Sequence, residues 1–387
     1  MTAKVRPDSV PELRGARVVV VGAAKSGLSL ARFLVGAGAR VTLTDARPAA
    51  AFGPEVADLA ARGVTLEMGG HQEATLLAAD LVAVSPGVPL VIEPLAHARR
   101  KGVRIVAEVE VASWFLKGTI VGITGSNGKS TTTALAGHLL SHAGLDAVAC
   151  GNLGTPLTEM IEGDGPGRTY VVELSSFQLE GIETFRPRVA VLLNLSPDHQ
   201  DRYPDMPAYY DAKMRLFMNQ TAADHAVLNQ DDPEVAARLG AVRGRRHFFS
   251  RQGEVDNGAF VSGDAIVLRR DGRDRRVLPI ADLPLFGVHN QENVLAALLV
   301  ADLCGVPMPK AAEGVRSFRG LPHRLEKVAD RLGVSWFNDS KATNVGATIQ
   351  SLLSFDRGVV LILGGKDKGG AFGDLCRCSA AGSPTSS

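Results

Sequence analysis

Aromatic residues make up only 5% of this 387-residue chain, with two tryptophans and four tyrosines. That scarcity removes the stacking platforms on which single-stranded nucleic acid is held. Excess charge of either sign is also missing: 42 Lys plus Arg stand against 41 Asp plus Glu, so no global field draws the protein to a polyanion or an anionic membrane. No apolar run reaches the roughly 18 residues that span a bilayer. The N-terminal stretch carries Asp8 and Glu12 and lacks the apolar run of a signal peptide. The expectation is a cytoplasmic monomer with neither nucleic-acid nor membrane partners. The four cysteines, Cys150, Cys304, Cys376 and Cys378, are too few and too scattered for a disulfide framework. Cys376 and Cys378 form only a C-x-C, without the second pair or histidines of a zinc site.

What is present is organised around residues 119–140. A β-branched apolar run, Thr119 to Thr124, breaks into Gly125-Ser-Asn-Gly-Lys-Ser130 and then into a helical pattern, the order of strand, phosphate cradle and helix. Gly125 and Gly128 let the backbone N–H groups of Ser126, Asn127 and their neighbours converge on a polyphosphate. Lys129 reaches its outer oxygens, and the Ser130 hydroxyl, beside Thr131, is placed to ligate Mg²⁺. The usual G-x-x-x-x-G-K-[ST] spacing is not met, since Ile123 occupies the position of the first glycine. The loop is therefore either a tighter phosphate cradle or an ordinary glycine turn, and its context favours the first.

The length predicts several α/β cores, divided at about 1–117, 118–321 and 322–387. In the first, the strand Val18–Val21 runs into Gly22-Ala-Ala-Lys-Ser-Gly27 and a helix, and a second strand ends in Asp45, which reads as a Rossmann-like βαβ unit. Ala24 stands where the middle glycine of a dinucleotide fingerprint belongs, which disfavours NAD over a differently posed nucleotide. Asp45 is either a ligand contact or a turn residue. In the second, Glu173 and His199 each follow an apolar strand of the sheet that also delivers Ser130, so a hydroxyl, a carboxylate and an imidazole are expected near one phosphate. Residues 240–280, rich in arginine with interleaved acids, read as a solvated β-meander rather than a nucleic-acid surface. In the third, strands are expected at Val334–Asn338 and Val359–Leu363. The βα pattern stops after Gly370, and a truncated or frameshifted reading frame would explain the tail that follows.

Several separated motifs together resemble the Mur ligases: Gly122 to Thr131, Glu173-Leu-Ser-Ser-Phe-Gln-Leu-Glu, Asp198-His-Gln-Asp-Arg-Tyr, Tyr210-Asp-Ala-Lys213, His289-Asn-x-x-Asn293, Leu321-Pro-His-Arg and Asn338-Asp-Ser-Lys-Ala-Thr-Asn. The resemblance runs from about residue 17 to about 370. It implies three α/β domains, the third incomplete, and an ATP-dependent ligase that adds D-glutamate to UDP-N-acetylmuramoyl-L-alanine through an acyl phosphate. By the same resemblance Lys129 and its neighbours hold the phosphates, Ser130 and Glu173 serve a first Mg²⁺, and His199 and Lys213 a second. Lys213 matches a lysine carbamylated in the family; on its residues alone it reads as a helix-surface lysine. Asn290 is implied near the adenine or ribose, though with Asn293 it also suits helix capping. Arg324, Asp339 and Lys341 are implied to close over ATP, Lys368 to meet the amino acid, and Ser26, Asp45, Arg47, Gly87 and Asn152 to contact the UDP-sugar. Another Mur or folylpolyglutamate-type ligase, or an inactive nucleotide-binding relic, remain the alternatives, and the tail puts activity of this chain in question.

Overall fold

A computed structural model describes residues 10–200, 202–355, 358–365, 373 and 375. The chain divides into two compact units, one drawn from the segments up to Ile120, Cys150–Arg168 and Val172–Pro187, the other from Val121–Ala149, Thr169–Val171 and the chain from Arg188 on.

The first unit is built on five parallel strands, β1 (Arg17–Val21), β2 (Arg40–Asp45), β3 (Thr65–Met68), β4 (Leu81–Val84) and β5 (Ile105–Ala107), in the order β3-β2-β1-β4-β5. The apolar runs of β1 and β4 are buried along their length, as expected of strands covered on both faces. Strand order reverses between β1 and β4, and at such a switch point a parallel sheet opens a crevice at its carboxyl edge. The glycines after β1 have distinct reasons. At Gly22, φ is +99°, and a Cβ on Gly27 would stand 1.8 Å from the Gly22 carbonyl oxygen, so helix Lys25–Gly36 meets β1 only because Gly27 has no side chain.

The long sheet comprises β6 (Thr119–Thr124), β7 (Ala147–Gly151), β8 (Thr169–Glu173), β9 (Val189–Leu192), β10 (His225–Asn229), β11 (Arg245–Ser250), β12 (Gly258–Ser262), β13 (Ala265–Arg270) and β14 (Arg273–Pro279). Its order is β14-β13-β12-β11-β10-β9-β6-β8-β7. Strands β6, β9, β10, β11 and β12 pair in parallel, and β12-β13-β14 is an antiparallel meander, within the 240–280 segment that read as one. Three of the meander's arginines are paired with acids: Arg269 with Asp274 and Glu254, Arg270 with Asp302, Arg276 with Asp264. Helices Lys129–His142, Val288–Leu303 and Met308–Ser317 share the core of the second unit with this sheet.

The C-terminal part corrects one expectation. The hairpin β15 (Glu326–Arg331) and β16 (Val334–Asn338) and helix Val345–Leu352 are present, but Val359–Leu363 form no strand and are exposed, Val360 to 93%. No described strand pairs with them, and a β-branched apolar run without a partner has nowhere to place its backbone hydrogen bonds except in water.

Candidate functional site

Strand β6 ends at Thr124, and the loop that follows is held from beneath. Asn194, just past β9, accepts at its backbone carbonyl from Ser126 N–H (3.0 Å) and at its side-chain oxygen from Asn127 N–H (2.8 Å). Ser126 Oγ donates to the Ser196 carbonyl and accepts from Ser196 N–H. Gly128, at φ +82°, turns the chain into helix Lys129–His142, whose first-turn N–H groups have no partner within the helix. Lys129 lies back across this loop, its Nζ donating to the carbonyls of Gly125 and Ser126, each at 2.9 Å. A strand, a glycine loop and a helix N-terminus with a lysine over it make a cradle for polyphosphate.

A second helix braces the loop. Thr132 Oγ1 donates to Asn293 Oδ1 (3.1 Å), Asn293 Nδ2 to Asn290 Oδ1 (2.9 Å), and Asn290 Nδ2 to the Phe286 carbonyl (2.6 Å). Both asparagines are buried, and both ends of the Asn290 amide are engaged inside the protein. Arg324 Nη2 donates to Ser130 Oγ at 2.7 Å, so the C-terminal part reaches the cradle through that arginine. Asp339 accepts from Leu325 N–H and Ser351 Oγ, and Lys341 N–H donates to the His323 carbonyl.

Lys213 is not on a helix surface. Its side chain is buried to 1% exposure, with Nζ donating to the Gly125 carbonyl at 2.9 Å and lying 4.6 Å from the Tyr209 ring centroid. Tyr209 reaches Ser126 Oγ through its hydroxyl (3.4 Å) and packs edge-on against His199. Burial pushes the Tyr209 hydroxyl well above its ordinary range, against the lowering effect of the Ser126 hydrogen bond. His199 has φ +52°, an uncommon conformation for a residue with a Cβ, and its N–H donates to Asp198, which also accepts from Asn344. The structure thus groups Gly125, Ser126, Lys129, His199 and Lys213 around one loop. Burying an ammonium costs several kcal/mol unless it is well bonded, on the order of the penalty for any buried ion.

In the first unit, Ser26, Asp45, Arg47 and Gly87 lie at or beyond the carboxyl ends of β1, β2 and β4. Asp45 Oδ2 accepts from Ala23 N–H at 2.8 Å, and the Arg47 guanidinium bridges both carboxylate oxygens at 3.0 Å. Burial alone would raise this carboxyl, but the bonds from Arg47 and Ala23 hold it down to about 2. Asn152 donates to Glu173 Oε1 at 2.7 Å. Glu173 is 3% exposed, and its Oε2 is buried without a hydrogen-bond partner. A buried carboxylate oxygen in that condition is suited to a cation. Among the described residues no three His, Cys, Asp or Glu side chains gather as a metal cluster. Lys368 lies outside the described residues.

Asn194, Tyr209, Asn293 as a brace, and Asn344 were not singled out as site residues from sequence. Asn194 carried a local signal, a polar residue where an apolar strand ends, and Asn293 and Asn344 lie within the motifs quoted above.

Residues 123–301 match the Mur ligase middle domain, and residues 16–107 the N-terminal domain of the MurD-like Mur ligases. The UDP-N-acetylmuramoylalanine–D-glutamate ligase of Geotalea uraniireducens is 47% identical over 364 residues, 94% of this chain and 80% of the relative. That of Anaeromyxobacter dehalogenans is 50% identical over 378 residues, 95% of this chain and 81% of the relative. Among solved structures, a UDP-N-acetylmuramate:L-alanyl-gamma-D-glutamyl-meso-diaminopimelate ligase from Neisseria meningitides aligns with TM-score 0.54 at 21% identity, covering 82% of this chain and 100% of that one. A pseudomurein peptide ligase type C from Methanothermus fervidus aligns with TM-score 0.52 at 20% identity, covering 88% and 77%. At these identities the two structures speak to the fold.

Proposed function

This chain belongs to the Mur ligase family and is an ATP-dependent amide-forming ligase of peptidoglycan precursor synthesis, and from that premise we propose that it joins D-glutamate to UDP-N-acetylmuramoyl-L-alanine. The observation that carries the proposal is the glycine loop with Lys129 across it and Lys213 buried against it. The alanyl carboxylate attacks the γ-phosphorus of ATP, the bond to the β–γ bridging oxygen breaks, and ADP leaves. The amine of D-glutamate then attacks the acyl carbon, gives up a proton, and phosphate departs. No nucleophilic side chain is needed, and the protein's contribution is positioning and charge.

Lys129 exchanges the Gly125 and Ser126 carbonyls for phosphate oxygens as ATP enters, while the helix N-terminus faces the same charge. Ser130 and Glu173 are assigned to a first Mg²⁺, which the unpartnered Glu173 oxygen suits, and His199 and Lys213 to a second. Bound there, Mg²⁺ supplies neutralisation of phosphate charge. Lys213 fits that role as a carbamate: its neutral amine adds to CO₂, releasing a proton, and an ammonium that would repel the ion becomes an anionic oxygen donor. The UDP-sugar is assigned to domain 1–117 through Ser26, Asp45, Arg47 and Gly87, with Asn152 contributed from 118–321, ATP to 118–321 with Thr131, Asn127 and Asn290, and the closing contacts Arg324, Asp339, Lys341 and Lys368 to 322–387. No helix among the described residues is long and apolar enough to cross a membrane, and we place the reaction in the cytoplasm with the enzyme as a monomer.

Lys129→Ala tests the assignment. ADP release should fall on the order of 10² to 10³-fold with UDP-sugar affinity unchanged. Equal loss of both would show that the phosphate and sugar sites had been confused.

A further inference from the structure

The first unit carries a cleft that the ligase reading does not use. It has a volume of about 640 Å³, within the size range of small-molecule sites, and lies towards the amino ends of β1, β2 and β3, the edge opposite Gly22, Asp45 and Ser85.

Its origin is a short crossover. On β2 the buried Val41 and Leu43 belong to the core that packs against helix Lys25–Gly36, which leaves Arg40, Thr42 and Thr44 on the other face by strand alternation. The same alternation on β3 puts Leu66 and Met68 with that core and Thr65 and Glu67 opposite. The connection from β3 to β4 contains only the six-residue helix Glu73–Ala78, too short to cover the second face along its length. What remains is a recess with Thr42, Thr65 and Thr75 on its walls and small residues, Ala74 and Ala78, along the helix side.

Its charge is specific. Arg17 is held by Asp80 in a bidentate pair at 2.8 and 3.2 Å. Arg40, on the same rim, has no side-chain hydrogen bond or ion pair among the described residues. Thr75 commits its hydroxyl proton to Glu67 Oε1 at 2.6 Å, which leaves Thr42 and Thr65 as the open hydroxyls of the walls. One uncommitted guanidinium on the rim and the hydroxyls of Thr42 and Thr65 on the walls ask for a ligand with an anionic group and hydroxyls of its own.

We propose that this cleft is a binding site for a small polyhydroxylated anion of the sugar-phosphate class, separate from the ligase centre. Arg40 takes the anionic group, and the threonines take the hydroxyls.

The test is calorimetric titration of the full chain with glucose 6-phosphate in the presence of saturating UDP, with glucose as the uncharged control. The expected result is saturable one-site binding of glucose 6-phosphate with glucose bound at least about tenfold more weakly. Arg40→Ala, at an exposed position, should weaken glucose 6-phosphate binding by about the same factor, and Ala78→Phe, which fills the recess, should abolish it. Lys129→Ala should bind the sugar phosphate like the wild type while losing ADP release, which separates this site from the ligase assignment. Absence of saturable binding to the wild type, equal binding by Arg40→Ala, or loss of binding in Lys129→Ala would overturn the proposal. If Ala78→Phe fails to fold, Arg40→Ala decides alone.

Discussion

Replacing Gly128 by alanine probes the phosphate cradle with a single methyl group. Its φ of +82° is left-handed, which costs a residue with a Cβ roughly 1–2 kcal/mol. The new Cβ would also stand 2.3 Å from Asn293 Oδ1 and 3.3 Å from Leu193 Cδ1. Asn293 cannot simply step aside, because its oxygen accepts from the fully buried Thr132 and its amide donates to Asn290. Moving it leaves the Thr132 hydroxyl unsatisfied, about 1–3 kcal/mol. The sum is on the order of 2–5 kcal/mol, carried by the second unit. Gly144→Ala is the matched control: its φ is +90° with no atom within 4 Å of an added Cβ, so it meets only the backbone cost. Urea unfolding followed by tryptophan-independent far-UV dichroism, with ADP release measured alongside, should show Gly128→Ala well below Gly144→Ala in both. Equal destabilisation by the two substitutions would refute the role given to the Asn293 brace.

Lys213→Ala should abolish turnover, with partial rescue by acetate, which can occupy the space vacated near Gly125; unchanged turnover would reduce Lys213 to a packing residue. Arg324→Ala, which releases Ser130 Oγ, should lower ADP release and leave UDP-sugar affinity intact, and a parallel fall in both would contradict that separation. Burial raises the Glu108 carboxyl from 4.5 to about 7, against the lowering bonds from Thr158. A carboxyl raised on folding binds more protons in the native state, so it lowers stability as pH climbs from about 4.5 to about 7 and adds no further slope above that. Glu108→Gln should therefore flatten the pH dependence of stability in that window, and an unaltered slope would show that Glu108 is ionised in the fold.

Sequence order made the fold legible where strand, glycine loop and helix were contiguous, as from Thr119 to His142, and where arginines and acids interleave with apolar residues, as in β12 to β14. It failed where a partner was required. Val359–Leu363 has the composition of a buried strand, yet composition does not supply the neighbouring strand that pairing needs. Lys213 illustrates another limit: Tyr209 to Phe217 permits a surface helix, and only the packing of Tyr209 against Ser126 reveals that this lysine points inward. The partners of Asn194 and Asn293 were hidden as well, since a polar residue's long-range partner leaves no local pattern. Asp45 could be read from sequence as turn residue or ligand contact, and its tight pairing with Arg47 shows that it at least organises its own turn.

The most direct measurement is ADP release from ATP in the presence of UDP-N-acetylmuramoyl-L-alanine, with D-glutamate, L-glutamate and meso-diaminopimelate supplied in turn. ADP should form only when the UDP-sugar is present and should rise with D-glutamate alone. Release that ignores the UDP-sugar, or that rises equally with the other two amino acids, would contradict it.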